Sequence, residues 1–146
     1  MSTILSPVQI SYLYVTDLNF HLEDSPADSM EVGVTVNYTR DRARLEDGIA
    51  SLEMRVVVEA DMHETAKADE VRLAASAVVR IGVTADVADG AIDEELERVL
   101  AANAVSLSYS HARTAICTAS GLSPAGAFLI PGISPYAAVD EVEGRH

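Results

Sequence analysis

Residues Leu52–Asp61 read LEMRVVVEAD. Leu52, Met54, Val56, Val58 and Ala60 fall on one side of an extended chain, because side chains alternate along a strand. Glu53, Arg55, Val57, Glu59 and Asp61 fall on the other. A helix would scatter these apolar residues around its circumference, so the spacing predicts a strand with one buried face.

The same period recurs on both sides of this stretch. Val71, Leu73, Ala75, Ala77, Val79 and Ile81 share a face opposite Arg72, Ala74, Ser76, Val78 and Arg80. Upstream, Val32, Val34, Val36 and Tyr38 alternate with Gly33, Thr35, Asn37 and Thr39, and Val8–Phe20 is rich in β-branched and aromatic residues. The segments HLEDSPADS (21–29), RDRARLEDG (40–48) and MHETAKAD (62–69) read as connections. Four alternating runs with no helix between them predict an antiparallel sheet.

The period changes after Gly90. Ile92, Leu96, Val99 and Leu100 follow helical spacing, with Asp93, Glu94 and Glu95 suited to a helix N-terminus. Asn103 is expected to interrupt this helix or to cap a second one carrying Tyr109, Ala112 and Ile116, which Gly121 would end. The tail SPAGAFLIPGISP is expected to be extended, and AAVDEVEGRH to fray. Strands followed by helices packed on one face make an α+β fold around a four-stranded antiparallel sheet.

Composition narrows the function. Ten basic against 23 acidic side chains among 146 residues give a formal charge of −13, which disfavours nucleic acid and anionic lipid as ligands. One cysteine permits no internal disulfide and no cysteine-based zinc site. With no apolar run of membrane-spanning length and no signal-peptide pattern, a soluble protein of a reducing compartment, the cytoplasm, is expected. The mean hydropathy is nevertheless +0.16. Such a chain either completes its core unusually well or keeps apolar surface for a partner or another copy.

Chemical motifs are sparse. His21, His63, His111 and His146 share no metal-ligand spacing. His63 and Glu64, near Asp61, fall in a polar connection and read as solvated. Cys117 lies near a helix C-terminus, where the dipole opposes a thiolate, and reads as a small packed residue. Asp93, Glu94 and Glu95 match a helix dipole, and no glycine-rich phosphate loop is present. A DNA mimic would rank acids along one face, but Glu53, Arg55, Glu59, Arg72 and Arg80 mix both signs. The expected protein is not an enzyme and carries no catalytic residues, metal or cofactor.

Three segments taken together resemble the SecB-like family of export chaperones. In ISYLYVTDLNF an aromatic precedes an Asp and then apolar-x-Phe, here Tyr14, Asp17, Leu18 and Phe20. LEMRVVVEAD is similar to the family's third strand, with Arg55 as its marker. LSYSHARTAICTASGLSPAGAFLIPGI is similar to its main helix and following loop, with Ala112 and Arg113 in register and Pro131 closing the loop. The signal lies in order and spacing, from about Val8 to Pro131.

The resemblance implies one SecB-like domain over 1–146, with a short flexible N-terminus and a tail over 137–146. It implies a homo-oligomer, dimer or tetramer, that binds unfolded or unstable client polypeptides. SecA, or a dedicated client such as an antitoxin, is the further partner. By position, Phe20, Val32, Val34 and Val36 match the client groove and Asp17 matches the contact to a partner. His21 and Arg72 stand where the family has acids, Ser110-His111 replaces Pro-aromatic, and the C-terminal helix is reduced to AAVDEVEG. An acidic non-catalytic adaptor that keeps the fold without general client binding is the alternative.

Overall fold

The structure is a computed structural model that describes residues 7–22, 30–64, 67–88, 91–121 and 131–144. Five strands come first: β1 (Gln9–Leu22), β2 (Met30–Arg40), β3 (Arg44–Glu46), β4 (Ile49–Glu64) and β5 (Lys67–Asp86). Two helices follow, α1 (Glu94–Ser120) and α2 (Pro135–Val142). The sheet is antiparallel with strand order β1-β5-β4-β2, and β3 pairs with the start of β4. The α+β architecture expected from the alternation is therefore present, with one short strand added.

That added strand lies inside the charged segment 40–48. Glu46 pairs with Ile49, and the two residues between them, Asp47 and Gly48, have φ of 52° and 76°. Two consecutive left-handed residues make the turn whose twist suits a tight hairpin, and Asp-Gly is a favoured pair for it. The expected connection over 62–69 is likewise mostly strand, since β4 runs to Glu64 and β5 starts at Lys67. The connection over 23–29 lies outside the described residues.

The alternation in β4 and β5 is realised as read. Leu52, Met54, Val56, Val58, Val79, Ile81 and Val83 are buried on one face, which we call the inner face. α1 lies against it, with Leu96 and Leu100 buried in its first turns and Val105, Tyr109, Ala112 and Ile116 buried at three- and four-residue spacing further along. Ala101, Ala102 and Ala104 are buried too, and their small side chains let the helix approach closely. Burying each large aliphatic side chain contributes about 1.5–3 kcal/mol relative to exposure.

α1 is one continuous helix of 27 residues, not two. Asn103 does not interrupt it, because its amide donates back to the Val99 carbonyl at 2.8 Å and stays within the helical path. Asp93 caps the start, its Oδ1 accepting from the Leu96 amide at 2.8 Å, and Gly121 follows the end. The charged C-terminal stretch forms α2 where fraying was expected. Ser134 caps it, Pro135 opens it, and Val139 is fully buried. The 123–130 part of the expected extended tail lies outside the described residues. Pro131 is tied to α1 through its carbonyl, which accepts from the Tyr109 hydroxyl.

β1 contains two slips. Ile10 and Tyr12 pair with the consecutive residues Val83 and Gly82, and Val15 and Asp17 pair with Val79 and Val78. Ser11 and Thr16 are the extra residues. Each bulge shifts the phase of the strand by one. Leu13, Val15, Leu18 and Phe20 consequently share the inner face, and Tyr12, Tyr14, Asp17, Asn19 and His21 the outer one.

Candidate functional site

Directly paired residues of an antiparallel sheet project to the same side. The register therefore places Phe20, Ala75, Ala60 and Val34 in one row across the inner face. Leu18, Ala77, Val58 and Val36 form the next row, and Met62 and Val32 pair beyond them. Phe20, Val32, Val34 and Val36, chosen from sequence, thus share one face at one end of the sheet. Phe20 stands on one edge strand and the three valines on the other, with the alanines of β4 and β5 between them.

The edges of this face differ from its centre. Ala60 and Ala75 are nearly inaccessible, at 4% and 5%, whereas Phe20, Val32, Val34 and Val36 are half-buried. Leu18 on the same face is 42% exposed, and Ile10, paired to the fully buried Val83, is 47% exposed. The apolar face runs out to solvent along β1. Leu18 and Ile10 were not among the candidates, although they share the alternating frame of Phe20. The signal was present as a phase slip: Leu13 and Val15 are in one alternating frame, Leu18 and Phe20 in the other.

Asp17 lies on the opposite face, exposed, paired with Val78, and accepts a hydrogen bond from the Thr16 hydroxyl at 3.1 Å. It is not brought together with the other four. His21 shares that outer face and is exposed. Arg72 lies within β5.

Polar contacts fasten the helices around the inner face. Arg40, at the end of β2, grips Glu143 with two bonds of 2.7 and 3.2 Å and reaches Glu97 of α1 at 3.4 Å. Tyr38 donates to the same Glu143 carboxylate. Burial and that bond together raise the phenol pKa well above its ordinary value. Arg98 pairs with Asp140 of α2 at 2.8 and 2.9 Å and lies 4.7 Å from the Tyr136 ring centre. An apolar contact at Val139 and two arginine clamps thus hold α2 in place.

On the outer face His63 lies 3.4 Å from Glu31 and 3.5 Å from Asp61. It belongs to β4 and is half-buried, where a solvated connection was expected. Among the described residues no group of three or more His, Cys, Asp or Glu side chains is placed to hold a metal ion. No helix among them is long and apolar enough to cross a membrane.

Comparison with known proteins bears on the fold. The sequence matches no family model and no curated protein. The structure is similar to that of the Mycobacterium tuberculosis Rv1957 SecB-like chaperone, solved in complex with a ChAD peptide from the Rv1956 HigA1 antitoxin. The TM-score is 0.65 at 14% identity, over 87% of this chain and 91% of that one. The fold is SecB-like. Within this SecB-like fold the inner face carries the apolar edges and the outer face carries Asp17.

Proposed function

We propose that this chain is a SecB-like holding chaperone that binds unfolded or unstable polypeptides on the apolar margins of its inner face. The observation that carries the reading is the run of Leu18, Phe20, Val32, Val34 and Val36, left half-buried or exposed beside a closed core. An extended apolar segment laid along such a margin removes its own surface from water and leaves a folded client nothing to gain. The similar chaperone's complex with an antitoxin peptide supports a dedicated client of that chemistry. The formal charge of −13 keeps exposed apolar surface in solution through repulsion between copies.

In this reading the protein is non-catalytic, works in the cytoplasm and assembles as a dimer or tetramer. Asp17, exposed on the outer face, is the contact for a second protein, and delivery to SecA for export is the form of that contact the resemblance implies. His21 in place of an acid weakens the case for SecA relative to a dedicated client.

The test is suppression of aggregation of a chemically denatured protein diluted into buffer. Equimolar chain is expected to suppress light scattering. No suppression at a several-fold excess would overturn the reading. Recovery of one folded partner without affinity for unfolded chains would favour the adaptor alternative instead.

A further inference from the structure

The outer face of the sheet carries two opposed cations. Arg55 on β4 and Arg80 on β5 are directly paired, and like charges in that position destabilise a sheet pair. Among the described residues neither forms an ion pair, although the chain has 23 acidic side chains for 10 basic ones. A local rule broken with no compensation from the chain itself points to a functional site.

The register explains why nearby acids do not neutralise them. Tyr14, Arg80, Arg55 and Thr39 form one row across the strands. Asp17 lies in the row on one side and Glu53 in the row on the other, each about 7 Å away along the strands. Asp17 accepts from the Thr16 hydroxyl at 3.1 Å. Glu53 accepts from the Tyr12 hydroxyl, whose ring lies across Gly82, where a Cβ would come within 2.6 Å of it. Both carboxylates are engaged by a hydroxyl, and neither closes on an arginine. Between the arginines and the end of β2 lies a hollow of about 190 Å³, lined by Tyr12, Thr39, Asp41, Glu53, Arg55 and Arg80. Asp41 is exposed there, where water screens its charge. Arg40 borders the hollow as well, but its guanidinium is committed to Glu143 and Glu97. The donors left for a ligand are two guanidinium forks and the exposed Thr39 hydroxyl.

We infer that this hollow binds a small tetrahedral dianion of the phosphate type, with Arg55 and Arg80 as its two cationic arms. A guanidinium presents parallel N–H donors that match two phosphate oxygens, and two such forks match two negative charges. A monoanion would leave one arginine uncompensated. A dianion between them replaces their repulsion with attraction to a shared counter-charge. The formal charge of −13 repels long polyanions, whereas a small ion feels mainly the groups within a screening length of it. The ligand is therefore free phosphate or the phosphate group of a small ester, and the exposure of Arg80 and Thr39 leaves room for either. The hollow extends from the arginines toward Glu53, away from Asp17, so it leaves that residue open to the protein contact proposed above.

The inference depends neither on client holding nor on the Asp17 contact, because the probe is phosphate alone. The full chain is titrated with sodium phosphate at about pH 7, against sodium chloride of matched ionic strength, and arginine Nε–H signals are followed by nuclear magnetic resonance. The Arg55 and Arg80 signals are expected to shift and saturate with phosphate. Those of Arg40 and Arg98, committed to carboxylates, are expected to stay in place. A parallel titration with glycerol phosphate separates the two sources: saturation by both assigns the site to a phosphate group, and saturation by phosphate alone assigns it to the free ion. As a second readout, phosphate is expected to raise the thermal midpoint of the wild type above its value in chloride, and Arg80→Gln to abolish that gain. Any general stabilising action of phosphate is common to both proteins and cancels in the comparison. Shifts that never saturate, or that are equal at all four arginines, would overturn the inference. So would an equal gain in wild type and Arg80→Gln.

Discussion

The phenol of Tyr38 donates to the carboxylate of Glu143, 105 residues further along the chain, and fastens the last helix to an edge strand. Arg40 holds the same carboxylate from two residues along β2. Removing the hydroxyl in Tyr38→Phe should lower stability by about 1–2 kcal/mol in urea denaturation. Arg40→Met should cost more, because it leaves Glu97 and Glu143 facing each other without a cation. Hydrogen exchange should show α2 losing protection in both, with β4 and β5 unchanged.

The same phenol predicts an alkaline weakness. Its pKa is raised in the fold, while an unfolded tyrosine ionises near pH 10. Above that pH the unfolded chain loses a proton that the folded one retains, so stability falls as pH rises. The contribution is complete below about pH 10 and disappears as pH climbs toward the folded value. Tyr12 and Tyr109, both raised chiefly by burial, act in the same direction. Urea midpoints at pH 9 and pH 11 should separate more for wild type than for Tyr38→Phe.

Leu18 separates client holding from folding. At 42% exposure on the inner-face margin, Leu18→Asp should cost under about 1 kcal/mol of stability. It should nonetheless reduce aggregation suppression several-fold. A variant that suppresses as well as the wild type would place the client elsewhere.

Gly82 permits a close approach that no other residue would. A Cβ there would lie 2.6 Å from both the Ser11 Oγ and the Tyr12 ring. Gly82→Val should push Tyr12 off the sheet, perturb the tyrosine signal in near-ultraviolet circular dichroism, and cost about 1–3 kcal/mol.

Asp93→Ala removes the acceptor of the Leu96 amide and should destabilise the chain by about 1 kcal/mol, read from the thermal midpoint.

Much of the fold was legible because β4 and β5 keep strict alternation, and a one-residue error would turn every apolar side chain outward. The inner-face residues of both strands could be named from Leu52 to Ile81. What was not legible depended on partners distant in sequence. The stretch 135–142 is charged and short, and as an isolated peptide it would not be a stable helix. It folds because Val139 enters the core and Glu143 and Asp140 meet arginines of β2 and α1. The hairpin at Asp47-Gly48 had a local signal, obscured by the charges around it. For the site, the resemblance pointed to Phe20 and the three valines by position, but not to Leu18, which stands two residues before Phe20 in the same alternating frame.

Those bulges also govern what can be added at the outer edge of β1. An edge strand offers unpaired amides and carbonyls on which foreign strands can stack without limit. Here the ladder is broken at Ser11 and again at Thr16, leaving runs of four residues, Tyr12–Val15, and six, Asp17–Leu22. A strand that docks in register with one run is out of register with the other. The edge can lend a few hydrogen bonds to a visiting segment, but it is a poor seed for a growing fibre.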